Sequence, residues 1–267
     1  MKTTSFYPSA VTRWIIGIIV GAFVLIPLAM TLEYTFRDGS GGHSLKHWAG
    51  LFDPANTSTY RPLWTGLTNS LVLMVATVLI VLFLTAPTMI FINLKYPKLR
   101  RIFEFIALLP ITIPAIVLVV GLAPIYMVIG RTVGTNTWTL CFVYGILVMP
   151  FAFRAIQASI DSINMTTLAE AARSLGASWP TVILRVLAPN LRTGLLAGSL
   201  ISVAVVLGEY TVASLLNRQN LQTALIIVNQ SDAYIAVICS LVALIFCFVL
   251  LLLIGRLGHV GSARKEH

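Results

Sequence analysis

The chain has 267 residues, of which 58% are hydrophobic and only 10% charged, with a mean hydropathy of +0.92. A water-soluble domain carries roughly 25% charged residues, so this composition excludes an ordinary soluble fold and points to a chain solvated by lipid. The formal net charge of +9 does not point to nucleic acid: basic excess in a membrane chain sets topology, and no aromatic-plus-basic module accompanies it.

A spanning helix needs about 20 apolar residues, because the hydrocarbon core is about 30 Å thick and a helix rises about 1.5 Å per residue. Uninterrupted apolar length predicts six spans, at about 14–31, 67–92, 105–129, 137–153, 194–216 and 234–254. Lys2 and Arg13 before the first run resemble a signal sequence, but the run from Trp14 to Leu32 is longer than the roughly 7–15 residues of a signal core. It is expected to remain as the first span. With the N-terminus in the cytoplasm, most Lys and Arg residues fall inside, from Lys2 and Arg13 to Arg264 and Lys265. Arg37, Lys46, Arg61, Arg131 and Arg218 are left outside, so both termini are expected in the cytoplasm.

Between the first two spans, Asp38-Gly39-Ser40-Gly41-Gly42 reads as a turn. Leu45, Trp48, Leu51 and Phe52 follow it at helical spacing and suggest a short surface helix. His43 and His47 are one helical turn apart. A metal site needs further ligands, none lies near in sequence, and no metal is expected. Cys141, Cys239 and Cys247 all fall inside spans and read as free, buried thiols. The third span carries Pro110, Pro114 and Pro124, so it should be kinked or broken. Such a break either lines a cavity or packs in protein.

Between spans four and five lies EAARSLGASWPTVILRVLAPN, beginning at Glu170. Thr167 to Glu170 reads as a capping box. Leu168, Ala171, Ala172 and Leu175 share one helix face, and Gly176 is placed to end that helix. Ser178 reads as the cap of a second helix, with Pro180 in its first turn. Trp179, Val182, Ile183, Val186 and Leu187 form its apolar stripe, and Pro189 closes it. Each helix is too short to be stable alone. The pair either lies on the inner membrane face or is held out to a cytoplasmic partner.

Within span five, Glu209 is the one charged residue in any predicted span, and an intramembrane acid is a functional candidate. Gly194, Gly198, Ser202 and Glu209 share a helix face, and Gly194 with Gly198 allows close helix approach. The acid therefore faces the protein interior, either on a solute pathway or as a structural acid paired with a donor such as Arg218. Gly17 and Gly21 in span one read as a packing face.

Glu170-Ala171-Ala172, then Gly176-Ala177, then Val186-Leu187-Ala188-Pro189 resembles the EAA motif of ABC importer permeases. Val186 and Ala188 depart from the usual residues. Ala188 stands where the pattern has leucine, which removes one apolar contact: contact with the ATPase there is either weaker or made by Leu187 or Leu191. The resemblance implies an all-α integral membrane fold of six transmembrane helices. It would be a single type I ABC importer (methionine-permease-like) transmembrane domain over 1–267, with a cytoplasmic coupling loop at about 164–190. Coupling would rest on Glu170, Ala171, Ala172, Gly176, Ala177, Val186 and Pro189. The implied partners are two ABC ATPase subunits, a second permease, homologous or identical, and an external solute-binding protein. The chain would be multi-pass in the bacterial inner membrane, with no catalytic residue and no cofactor of its own. Consistent with that division of labour, the sequence has no Walker A pattern to hold ATP phosphates.

Gly208-Glu209-Tyr210, and Leu-Pro-Ile-Thr-Ile-Pro at 109–114, look like the branch of the family serving polyamines, ferric iron, thiamine, phosphonates and oxyanions. The single-length chain favours a polyamine-type system, spermidine or putrescine. Glu209, Tyr210, Pro110 and Pro114 are then the candidate pathway residues. An integral-membrane enzyme is disfavoured, because no HExxH, GxSxG or intramembrane acid pair appears. A self-sufficient secondary transporter would be expected to show internal repeats and several intramembrane polar groups. Copurification with an ATPase separates that reading from an importer permease.

Overall fold

Proline, glycine and short polar stretches cut the apolar runs into helices. The computed structural model describes residues 9–260, and among these the chain is helical apart from turns and one isolated bridge, Arg37 with His43. Lys2, Arg264 and Lys265, used above to place the termini, lie outside the described residues. The chain divides into two compact units, one from Met1–Tyr60 with Val228–Val242, the other from Arg61–Ile227 with Ala243–His267.

The first unit begins with α1 (Ala10–Tyr34), capped by Ser9, whose hydroxyl accepts the Thr12 N–H at 3.2 Å. No residue of α1 is buried, as suits a helix that faces hydrocarbon. The predicted turn follows. Asp38 Oδ1 accepts the Ser40 hydroxyl at 2.7 Å, the Ser40 N–H at 2.8 Å and the Gly42 N–H at 3.0 Å. These bonds, the Ser40 hydroxyl foremost, hold the Asp38 carboxyl down at about 2. The surface helix α2 (Lys46–Gly50) is only five residues long, too short to present a stripe. Leu51 is buried, while Leu45 and Phe52 point outward. His43 meets Glu33 at 3.1 Å, whereas His47 stacks on Tyr234 with ring centroids 4.1 Å apart. The two histidines thus serve different partners. Tyr234 also stacks on Tyr34, and Asp232 accepts from the Tyr60 hydroxyl and from the N–H groups of Tyr234 and Ile235. Those last two bonds cap α14 (Ala233–Val260).

The second unit takes most of α3 (Thr57–Ile80), then α4 (Ala86–Lys95), α5 (Arg100–Thr112), α6 (Ala115–Thr132) and α7 (Cys141–Asp161). After α8 (Met165–Ser174), a helical stretch Trp179–Asn190 combines α9 (Trp179–Thr181), a π-helical turn at Val182–Leu187 and α10 (Ala188–Asn190). Then come α11 (Arg192–Gly208), α12 (Thr211–Leu215) and α13 (Leu221–Asn229). One core cluster centres on Met89, Ile156, Leu187 and Leu191, all 0% exposed. A second gathers Leu73, Tyr144, Val206 and Val212.

Helix α11 packs along α7 through its small residues, as the four-residue spacing predicts. A methyl group added at Gly194 would come within 2.5 Å of the Ser159 Cβ and 2.8 Å of the Ala155 carbonyl oxygen. Ser202, two turns beyond Gly194, is fully buried.

Among the described residues, five helical segments are long and apolar enough to cross a membrane, or six if Trp179–Asn190 and Arg192–Gly208 count as one bent span. The third span is broken, one of the two outcomes its prolines predict: Ile113 is extended, and Pro114 starts α6 as its cap residue. Two expectations need correction in detail. The fifth span does not run on to residue 216. It ends at Gly208, where Glu209 turns extended at φ −82°, ψ 122°. Pro189 does not close its helix by itself. The chain stays helical to Asn190, and α11 leaves beyond Leu191 at 79°. The π-helical turn just before Ala188-Pro189 offers a reason. A ring without an N–H that crowds the preceding turn is accommodated by one extra residue per turn. The other π-helical turn, Val81–Thr85, precedes Ala86-Pro87 in the same way.

Candidate functional site

Two places in the second unit collect the residues singled out by sequence. The first is the corner between α8 and Trp179. Asn164, not Thr167, caps α8: its side-chain oxygen accepts the Thr167 N–H at 3.2 Å. Asn164-x-x-Thr167 and Thr167-x-x-Glu170 are both capping patterns, and the earlier one wins. Glu170 is therefore freed from capping and is exposed, as is Ala171. The buried face is Met165 and Ala169, with Leu168 and Ala172 half-buried, while Leu175 is 88% exposed.

The helix ends as the glycine predicts. Gly176 has φ +82°, its N–H donates to the Arg173 carbonyl at 2.9 Å, and the Ala177 N–H donates to the Ala172 carbonyl at 3.1 Å. This paired closure uses a left-handed residue. Ser178 stands at the cap position, but its hydroxyl pairs with the Thr181 hydroxyl at 3.0 Å. Trp179 is not simply part of the apolar stripe: it offers its ring to two cations, Arg173 at 5.4 Å and Lys95 at 5.6 Å. Arg173 also donates to the Ala177 carbonyl at 2.7 Å, so the corner is clasped from both sides. Val186 is half-buried, and Pro189 is exposed. Leu187 and Leu191 are 0% exposed in the core. Neither can replace a leucine offered to a partner at position 188, which removes that alternative and not the weaker contact.

Behind this corner lies a polar latch that sequence reasoning missed. Arg100 donates to both Asp161 oxygens at 2.8 and 3.0 Å, Gln157 donates to Asp161 at 2.9 Å, and Asn93 donates to Gln157 at 3.3 Å. It ties α4, α5 and α7 together. Its members are far apart in the chain, and no local pattern marks them.

The second place is the break at Glu209. The carboxylate accepts the Val212 N–H at 2.9 Å, the Ala213 N–H at 3.4 Å and the Tyr144 hydroxyl at 3.0 Å. Asn220 donates to the Tyr144 hydroxyl at 3.2 Å and to the Glu209 carbonyl at 2.6 Å. Glu209 thus caps the first turn of α12 and meets Tyr144, not Arg218. The segment leading into α13 is fixed on α3: Leu221 N–H donates to the Ser70 hydroxyl at 2.8 Å, and Asn69 donates to the Gln219 carbonyl at 2.8 Å. Tyr210 is exposed and lines an open cleft of about 640 Å³. Pro110 and Pro114 belong to the break in the third span and line neither the Glu209 node nor this cleft.

Comparison with known proteins is specific about the family. Residues 90–265 match the family described as binding-protein-dependent transport system inner membrane component. The chain belongs to this family. It is a multi-pass membrane permease component of an ABC-type transport system, a role in which ATP hydrolysis lies with other subunits. Members of this transport family work with ATPase and binding-protein partners. Among curated proteins, the chain is 27% identical over 217 residues to the spermidine/putrescine transport system permease protein PotB of Haemophilus influenzae. The match covers 73% of this chain and 72% of that protein.

Proposed function

We propose that this permease forms half of the translocation pathway of an ATP-driven importer and is moved by its ATPase through residues 164–190. The observation that supports this most directly is the corner at Gly176. Its outer side shows Glu170, Ala171 and Leu175 to solvent, while its inner side runs through Val182 and Leu187 into the core. A surface rooted this way transmits force. In this reading Glu170, Ala171 and Gly176 meet the ATPase, Ala172, Ala177 and Val186 seat the corner, and Pro189 marks the approach to the bend. Two ATPase subunits, a second permease, homologous or identical, and an external solute-binding protein complete the assembly, with both termini of this chain in the cytoplasm.

On the pathway side, Tyr210 lines the open cleft and Glu209 positions it, while Pro110 and Pro114 shape the broken third span. The name of the Haemophilus influenzae relative makes spermidine or putrescine one substrate candidate. Ferric iron, thiamine, a phosphonate or an oxyanion is the alternative.

Reconstitution tests the assignment. Proteoliposomes holding the chain with its copurifying subunits should accumulate solute only with ATP on the ATPase side. Uptake by the purified chain alone, driven by an ion gradient, would instead make it a secondary transporter. Lys46→Cys and Ser174→Cys should label from opposite faces of the membrane, and labelling from one face would overturn the topology.

A further inference from the structure

The cleft beside Tyr210 contains a charge that takes no part in the Gly176 corner or the Glu209 node. Arg218 is the one charged residue among those that line it. Its Nε is buried without a hydrogen-bond acceptor, and no carboxylate among the described residues pairs with it. The residue as a whole is half-buried, so this one nitrogen is cut off from water without a partner while the rest of the guanidinium faces the open cleft.

The backbone holds this residue in place. Helix α12 is closed by Asn217, with φ +51°, the only non-glycine residue with positive φ among those described. The Asn217 N–H donates to the Ser214 carbonyl at 3.1 Å and the Arg218 N–H to the Ala213 carbonyl at 2.8 Å. The nearest acid in sequence, Glu209, is committed to Tyr144 and to the first turn of α12. It does not line the cleft.

The other lining groups point the same way. The side chains of Tyr210, Ser214 and Asn217 line the cleft and make no hydrogen bond among the described residues. With Arg218 they supply two hydroxyls, an amide and a guanidinium. A guanidinium with neighbouring donors matches a group carrying several acceptor oxygens. A polyamine would meet a like charge here and no carboxylate.

We propose that this cleft is an anion subsite on the solute route, taking the phosphonate, phosphate, sulfate or carboxylate group of a small solute, with Arg218 as its charge-selecting residue. The proposal rests on the importer reading and chooses within its substrate range against a polycation.

The test uses the assembled importer in nanodiscs of phosphatidylcholine, with methylphosphonate, inorganic phosphate and spermidine as probes and thermal unfolding as the readout. Methylphosphonate or phosphate should raise the unfolding midpoint, and spermidine should not. Arg218→Gln should require roughly tenfold more anion for the same shift, as expected when one charge-assisted hydrogen bond is removed. Arg218→Lys should retain most of the response, which separates lost charge from lost fold. A wild type indifferent to both anions, a Gln variant that responds like wild type, or a shift with spermidine overturns the subsite.

Adding phosphatidylglycerol tests the other source of the same chemistry. If anionic lipid occupies Arg218 and free anions do not displace it, the group recognised is a lipid headgroup and the solute subsite is wrong. A response seen in the isolated chain but absent from the assembled importer gives Arg218 to an acid of a neighbouring subunit and overturns the proposal equally. ATPase copurification and ATP-driven uptake are scored separately, so a failed importer reading is distinguishable from a failed anion subsite.

Discussion

Helix α8 ends with Gly176 at φ +82°, and α12 ends with Asn217 at φ +51°. In each, the N–H of that residue and the N–H of the next turn back onto the helix, to the carbonyls of Arg173 and Ala172 in one case and of Ser214 and Ala213 in the other. The surroundings differ. Nothing lies within 4 Å of where a Gly176 side chain would begin, so that corner is shaped by its own bonds and by the cations on Trp179. The Asn217 corner closes a helix of five residues, which cannot stand without help at both ends. Glu209 supplies that help at the front, with Tyr144 and Asn220 behind it. One corner is open for contact, and the other is braced from within.

Breaking the open corner should have the largest effect. Gly176→Pro cannot adopt φ +82° and loses the N–H given to Arg173. Uptake should collapse while the assembled complex still hydrolyses ATP; normal uptake would sink the coupling role. Next comes Glu209→Ala, which costs about 1–3 kcal/mol for each buried donor left without an acceptor, read as lowered stability of the purified chain. Glu209→Gln keeps an acceptor oxygen and should cost less. If it abolishes uptake at unchanged stability, the acid acts on solute and not on α12.

Gly176→Ala should cost about 1–2 kcal/mol from the left-handed backbone alone, with no steric addition. Asn217→Gly should be milder, changing stability by a few tenths of a kcal/mol, since both residues accept positive φ. The smallest effect belongs to a third turn, at Asp38. Its carboxyl is held below the ordinary 3.8, at about 2. The contribution to stability is therefore complete above about pH 4 and fades as pH falls through about 2, which a pH titration of the Ser40 and Gly42 amide signals would follow.

The open corner was legible and the braced one was not. Glycine in mid-pattern announces a left-handed residue, and the prolines at 110 and 114 announced the broken third span. Leu207-Gly208-Glu209-Tyr210 instead reads as continuous span, because what breaks the helix there is remote in sequence: Tyr144 on α7 and Asn220 before α13. Asparagine at 217 is a weaker signal than glycine, since it tolerates a positive φ without requiring one. The cap of α8 was misplaced by three residues because two overlapping patterns satisfy the same rule. The Lys95 contact with Trp179 and the Arg100–Asp161 latch are tertiary, and no spacing within one helix encodes them.

The 79° bend beyond Leu191 makes the stretch Trp179–Asn190 the short arm of a crank whose shaft is α11. Twelve helical residues span roughly 18 Å, so turning the arm by about 5° carries its far end about 1.5 Å. Leu187 and Leu191 sit at the elbow, clamped in the core. In the proposed coupling, a push at the Gly176 end would reach α11 chiefly as torque, passed on where Gly194 lets α11 lie close against α7.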